Sequence, residues 1–250
     1  MYSSLCSASV YGVEGRLIDV EVDISNGLPQ VNVVGLPDPA VRESVERVRS
    51  AVKNCGFKFP MERITVNLAP ADLRKEGTAF DLAIAAGILS ASGQLSSAPF
   101  SGTLVLGELA LNGEVRPVPG VLAMVEQAKL SGMHRVLLPM GNAAEAACIE
   151  GMELYAAGHL RELAECIGAS PLEQGWTALR YNAETNGLAN GADGSAEELL
   201  FANGDYGDVL GQHHAKRALL VAAAGKHNVL MLCYIVMLHS CYTIVALILL

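Results

Sequence analysis

Apolar and polar residues alternate along Leu5–Tyr11, Leu17–Ile24 and Val31–Val34. A period of two sends successive side chains to opposite faces, so these stretches can be half-buried strands but not helices. Turn-forming residues separate them at Gly12–Gly15 and Asn26–Pro29, and the three strands read as a meander. At Pro39 the period changes. Val41, Val45, Val48 and Val52 recur at helical spacing, with Arg42, Glu46, Arg49 and Lys53 on the other side. Pro39 suits a first helical turn and Gly56 lies just past the end, which predicts a helix over Pro39–Asn54. Strands are then expected at Ile64–Leu68, Leu104–Leu106, Val115–Val118, Val136–Leu138 and Glu153–Ala156. Helices are expected at Ala79–Ser92, Val121–Ser131, Asn142–Ile149 and Leu160–Ile167. A meander followed by alternating helices and strands predicts an α/β fold, more closely an α+β two-layer sandwich on a mixed sheet.

Hydrophobic residues make up 51% of the 250, ample for a core, while aromatics are 5%. The formal charge of −9 argues against a globally basic nucleic-acid protein. That charge is uneven. Residues 170–207 hold one basic and six acidic side chains, and a run rich in Asn, Gly and Ala. They read as an acidic linker over 170–204, between a domain at 1–169 and a second piece from 205. Cys6, Cys55, Cys148, Cys166, Cys233 and Cys241 are scattered and form no CxxC pair, which suits small apolar residues in a reducing compartment. The N-terminus shows no basic segment followed by an apolar run, so a cytoplasmic location is expected.

Four stretches together carry a resemblance: VNVVGLPDPAVRESVERVRSAVKNCGFKFP, ITVNLAPADLRKEGTAFDLAIAAGIL, GELALNGEVRPVPGVL and GDYGDVLGQHHAKRAL. In them the chain resembles the ComM/YifB family of magnesium-chelatase-like AAA+ ATPases. The resemblance implies that residues 1–169 are the family's N-terminal domain, similar to the Lon-protease domain and to a domain of a ribosomal small-subunit protein. It implies that an AAA+ module starts near 205. Intact relatives use ATP and magnesium, are held to be hexameric, and in the ComM branch act in DNA branch migration and natural transformation. Homo-oligomers, or intact family subunits, are the partners it implies.

A Lon-type site needs a serine nucleophile and a lysine base. Laid on this chain, those positions are Ala79 and Leu122, so no peptidase activity is expected. Thr78 beside them reads as a loop threonine capping the helix. By resemblance, Asp208, Val209, Leu210, Gly211 and Gln212 are the half of a nucleotide pocket that passes over adenine. The phosphate half needs glycines and a lysine. After Lys226 no Gly, Lys, Arg, Asp or Glu occurs. No bound cofactor is therefore expected for this chain. His213 and His214 are adjacent and diverge on a helix, so a shared metal ion is not expected.

Basic residues concentrate in one window: Arg42, Arg47, Arg49, Lys53, Lys58 and Arg63, against Glu43, Glu46 and Glu62. Either a DNA-facing stripe or an exposed helix face with internal ion pairs fits this pattern. The loop around Asp72, Arg74, Lys75, Glu76 and Asp81 reads as solvated, or as a touch point for DNA or a neighbouring subunit. Arg42, Arg49, Lys53, Arg74 and Lys75 are the candidate DNA contacts, weak at most.

Residues 229–250 are uncharged apart from His239 and long enough to cross a hydrocarbon layer of ~20 residues. A membrane anchor is one reading of this tail. Aberrant sequence that breaks off an AAA+ module begun at 205–228 is the other, and the preferred one. The expected function is that of a truncated, non-catalytic interaction domain. The rivals are an ATP-dependent protease or chelatase-type hydrolase, and a membrane-tethered interaction module.

Overall fold

The computed structural model describes residues 1–12, 14–165, 176–182, 213–225, 229–237 and 240–248. They fall into two compact units, Met1–Gly191 and Ala192–Leu250. In the first, β1 (Tyr2–Tyr11) and β2 (Glu14–Ser25) form an antiparallel hairpin, in register from Tyr2↔Asp23 to Tyr11↔Glu14. Then follow β3 (Gln30–Val34), α1 (Pro39–Asn54), β4 (Arg63–Ala69) and α2 (Asp81–Ala91). The rest is β5 (Thr103–Val105), β6 (Glu108–Leu109), β7 (Val115–Arg116), α3 (Val121–Leu130), β8 (Arg135–Pro139), α4 (Ala143–Ala146), β9 (Glu153–Ala157) and α5 (Glu162–Glu165). Seven strands make one mixed sheet in the order β3-β4-β2-β1-β5-β8-β9, while β6 and β7 pair with each other.

The α/β class and the mixed sheet expected from the sequence are those of the structure. The meander is not. β3 lies beside β4, parallel to it, and β4 runs antiparallel to β2. β3-α1-β4 is thus a crossover unit, and a helix of this length between two strands brings them side by side in parallel.

Alternation along the strands builds two apolar layers. Leu5, Val20, Val22, Ile64, Val66 and Leu68 pack with the buried residues of α1 and α2. Ala8, Leu104, Leu106, Val136 and Leu138 pack with Val121, Met124 and Val125 of α3 and with α4. Helices therefore cover both faces. Two close approaches at Gly87 fix α2: Ser3 Oγ donates to Gly87 O at 2.7 Å, and a Cβ on Gly87 would lie 2.7 Å from Val22. α1 begins with Asp38 accepting from Val41 N at 2.7 Å. At its other end Arg161 donates to Asn54 O at 2.8 Å and to Cys55 O at 3.3 Å, a cation on the negative end of the helix.

Residues 176–182 fall within the stretch expected to be linker, yet they belong to the first unit and pack on its β9 side. Trp176 stands edge-on to Phe100 and Tyr155, with ring centres 5.1 and 5.5 Å away. Tyr181 N donates to Leu154 O at 2.8 Å, and Arg180 bridges Tyr155. The β9 edge is covered in this way.

Burial first, and then Asp19 opposite it on β2, push the Cys6 thiol up to about 12. Burial also raises Cys55, whereas Cys148 is exposed. Thiolate is the reactive form, so a brief iodoacetamide pulse at about pH 8 is expected to label Cys148 well before Cys6 or Cys55. Peptide-level mass spectrometry reads this directly; equal labelling of Cys6 and Cys148 contradicts it.

In the second unit, α6 spans His213–Gly225. β10 (Val229–Met237) pairs antiparallel with β11 (Ser240–Ile248), from Val229↔Ile248 to Met237↔Ser240. The residues considered for a membrane anchor are thus two strands, and among the described residues no helix is long and apolar enough to cross a membrane.

Candidate functional site

The Lon-type positions fall just before α2 and at the start of α3. Ala79 is buried, and Leu122 at the start of α3 is 44% exposed and apolar. Neither supplies a nucleophile or a base. Thr78 does not cap α2, as the sequence reading expected. The helix begins after Phe80 without a side-chain cap, and Thr78 Oγ1 instead donates to Glu108 Oε2 at 2.5 Å. Glu108 also lies 3.9 Å from Arg116 on the paired strand β7. The hydroxyl is thus held by a carboxylate that also faces an arginine.

Next to it is an ion pair within the core. Asp81 is fully buried, and its Oδ2 accepts from Arg47 Nε at 2.7 Å and from Leu109 N at 3.3 Å. Its Oδ1 accepts from Arg47 Nη2 at 3.2 Å, giving the forked contact that suits a guanidinium. Burial pushes the Asp81 carboxyl above its ordinary range, and Arg47 pulls it back. The hydrogen bond to Asp81 raises Arg47 in turn. Sequence reading placed Arg47 among surface cations and Asp81 in a solvated loop. The available signal was position: Arg47 lies three residues after Ser44 and four before Ala51, both buried on α1.

Lys75 requires a second correction. It was a candidate DNA contact, but it is fully buried. Its ammonium donates to Leu73 O at 2.7 Å and to Pro70 O, and loss of solvent lowers its pKa. Lys75 N donates to Leu36 O at 3.2 Å, and Asp38 N to Lys75 O at 3.0 Å, so the loop is sewn to the start of α1. An amine turned inward onto carbonyls cannot reach a phosphate. Arg74 is exposed and lies 3.3 Å from Glu76.

The other candidate contacts do converge. Arg42, Arg49 and Lys53 are spaced seven and four apart, which places them on one stripe of α1. Arg42 and Arg63 line an open groove of about 570 Å³ with Val31, Val33, Val45 and Glu46. Arg49 and Lys53 line a smaller one of about 140 Å³ with Gln30, Phe59 and Met61, and Val31 borders both. The Arg49 guanidinium sits 5.2 Å over the Phe59 ring and 3.7 Å from Glu46. Its Nε is buried and, among the described residues, has no hydrogen-bond partner. Among the described residues, Arg42, Lys53 and Arg63 make no ion pair within 4.0 Å.

Asp208, Val209, Leu210, Gly211 and Gln212 lie outside the described residues. His213 and His214 are exposed at the start of α6. Among the described residues no group of three His, Cys, Asp or Glu could hold a metal ion.

A family model described as subunit ChlI of Mg-chelatase matches residues 20–142, and one described as magnesium chelatase, subunit ChlI, matches residues 205–234. Competence protein ComM of Haemophilus influenzae is 40% identical over 227 residues, covering 90% of this chain and 42% of that one. YifB of Salmonella typhimurium is 39% identical over 221 residues, 88% of this chain and 40% of its own. Lon protease 2 of Bacillus subtilis is 29% identical over 197 residues, 71% and 35% of the two chains. The chain spans about two-fifths of the length of the ComM and YifB relatives it matches. An α/β domain, with matches to both chelatase models and to ComM and YifB, makes this chain a member of the ComM/YifB family of magnesium-chelatase-like proteins.

Proposed function

We propose that residues 1–169 are a non-catalytic interaction domain from a ComM-like motor, whose intact relatives couple ATP hydrolysis to DNA branch migration in the cytoplasm. The observation that carries this reading is chemical. Where a Lon-type enzyme needs a nucleophile and a base, the chain offers Ala79 and Leu122, and the nearby Thr78 hydroxyl is taken by Glu108. The charged side chains around it are spent on structure, in the Arg47–Asp81 fork and the inward Lys75.

A triphosphate does not fit the residues present after α6 either. Such a group is gripped by a run of backbone N–H groups, a lysine and a metal ion held by hydroxyl and carboxylate. Here β10 pairs residue for residue with β11, and neither strand carries Gly, Lys, Asp or Glu. Adenine contacts from 208–212 would add little affinity alone. This 250-residue chain is therefore expected neither to cleave casein nor to bind a fluorescent ATP analogue at micromolar concentration. Casein turnover that disappears in Thr78→Ala would overturn the first half, and micromolar binding of the analogue the second.

A further inference from the structure

We propose that the free edge of β3, with the cation row of α1, docks an extended acidic peptide segment of a partner protein, added as a strand beside β3. This deepens the interaction-domain reading and rests on it.

β3 is the end strand of the sheet, paired on one side only, to β4. Edge strands are ordinarily blunted by charge, proline or a covering segment. The opposite edge, β9, is covered by residues 176–182. β3 itself reads Gln-Val-Asn-Val-Val, without charge or proline, and its residues are only half-buried or exposed. Among the described residues nothing pairs with its outer side.

The groove beside it has two kinds of wall. Val31, Val33 and Val45 are apolar, and Arg42 and Arg63 stand exposed at the rim without an ion pair among the described residues; they outnumber Glu46, the carboxylate there, which lies 3.7 Å from Arg49. Because α1 returns along the crossover, its cations run the length of β3. Arg42 lies beside Val31–Val34, and Arg49 and Lys53 lie beside Pro29–Val31. The row from Arg42 to Lys53 covers ~16 Å at 1.5 Å per residue. Five strand residues cover ~17 Å. A strand laid on β3 would thus satisfy the open backbone groups and send alternate side chains to the cations, which favours carboxylates there.

Two other occupants fit less well. Two copies pairing edge to edge would bring Arg42 and Arg63 of both into one groove, where like charges repel. A nucleic-acid strand brings phosphate oxygens, which only accept, and so leaves the carbonyls on the outer side of β3 unmatched.

Fluorescence anisotropy of the full chain with a labelled peptide of alternating Glu and Val tests the proposal. The peptide is expected to bind, and N-methylation of its alternate amides is expected to weaken binding at least ~10-fold, since it removes the pairing and leaves the charge. The Arg42→Glu/Arg63→Glu chain changes only exposed side chains and is expected to weaken binding similarly. No binding, equal binding of the N-methylated peptide, or equal binding of a Lys-for-Glu peptide overturns the proposal. So does a short single-stranded DNA that competes below the peptide's own concentration, or a dimer that the double variant strengthens. Casein or ATP turnover would instead strike the interaction-domain reading, so the two failures are distinguishable.

Discussion

Asp81→Ala is expected to destabilise the first unit by about 3 kcal/mol, at the low end of the ~3–5 kcal/mol seen when one partner of a buried ion pair is removed. The loss has two parts. Arg47 keeps its charge in a site that is 22% exposed, so solvent compensates only partly. Leu109 N also loses its acceptor at the end of β6. The measurement is a urea midpoint at unchanged m-value. An Arg47→Met/Asp81→Leu chain is expected to recover most of the loss, because similar volumes without charge remove the desolvation cost along with the attraction. A single variant within ~1 kcal/mol of the parent would mean that the fork is ornamental.

The second large effect is expected at Gly35→Ala. Gly35 follows β3 with φ of 98°, and a Cβ there would lie 2.1 Å from Leu68 O. A left-handed conformation costs a residue with a Cβ ~1–2 kcal/mol, and overpacking adds ~1–3. The obstacle is backbone on β4, so it cannot swing aside as a side chain could. About 3 kcal/mol is expected, again from a urea midpoint, with β3 as the strand that must shift. If the edge of β3 is the docking surface proposed above, this variant also loses the acidic peptide, while Asp81→Ala, refolded and at low temperature, keeps it.

Much of this fold was legible because its elements are locally consistent. The valine spacing and Pro39 gave α1 its observed ends, Pro39–Asn54. β1 and β2 followed from alternation. What alternation cannot report is which strand is the neighbour, and so the parallel pairing of β3 with β4 was missed. The late helices shrank: Asn142–Ile149 became a short 3-10 turn and the four residues Ala143–Ala146. The cations show the same limit. Arg42, Arg49 and Lys53 share a face by periodicity alone, whereas Lys75 and Asp81 look like any other charges in a polar loop. Their burial depends on Pro70, Leu73 and Arg47, and only the tertiary fold settles those contacts.

The Trp176 clasp over β9 carries a consequence for assembly. A sheet with two bare margins can accept a neighbour at each, and so grow without limit into fibres. With one margin sealed, any additional strand joins at the other and growth stops there. By strand addition alone, the sheet can take a single guest, or one copy related to it by a two-fold axis, and not a column of copies.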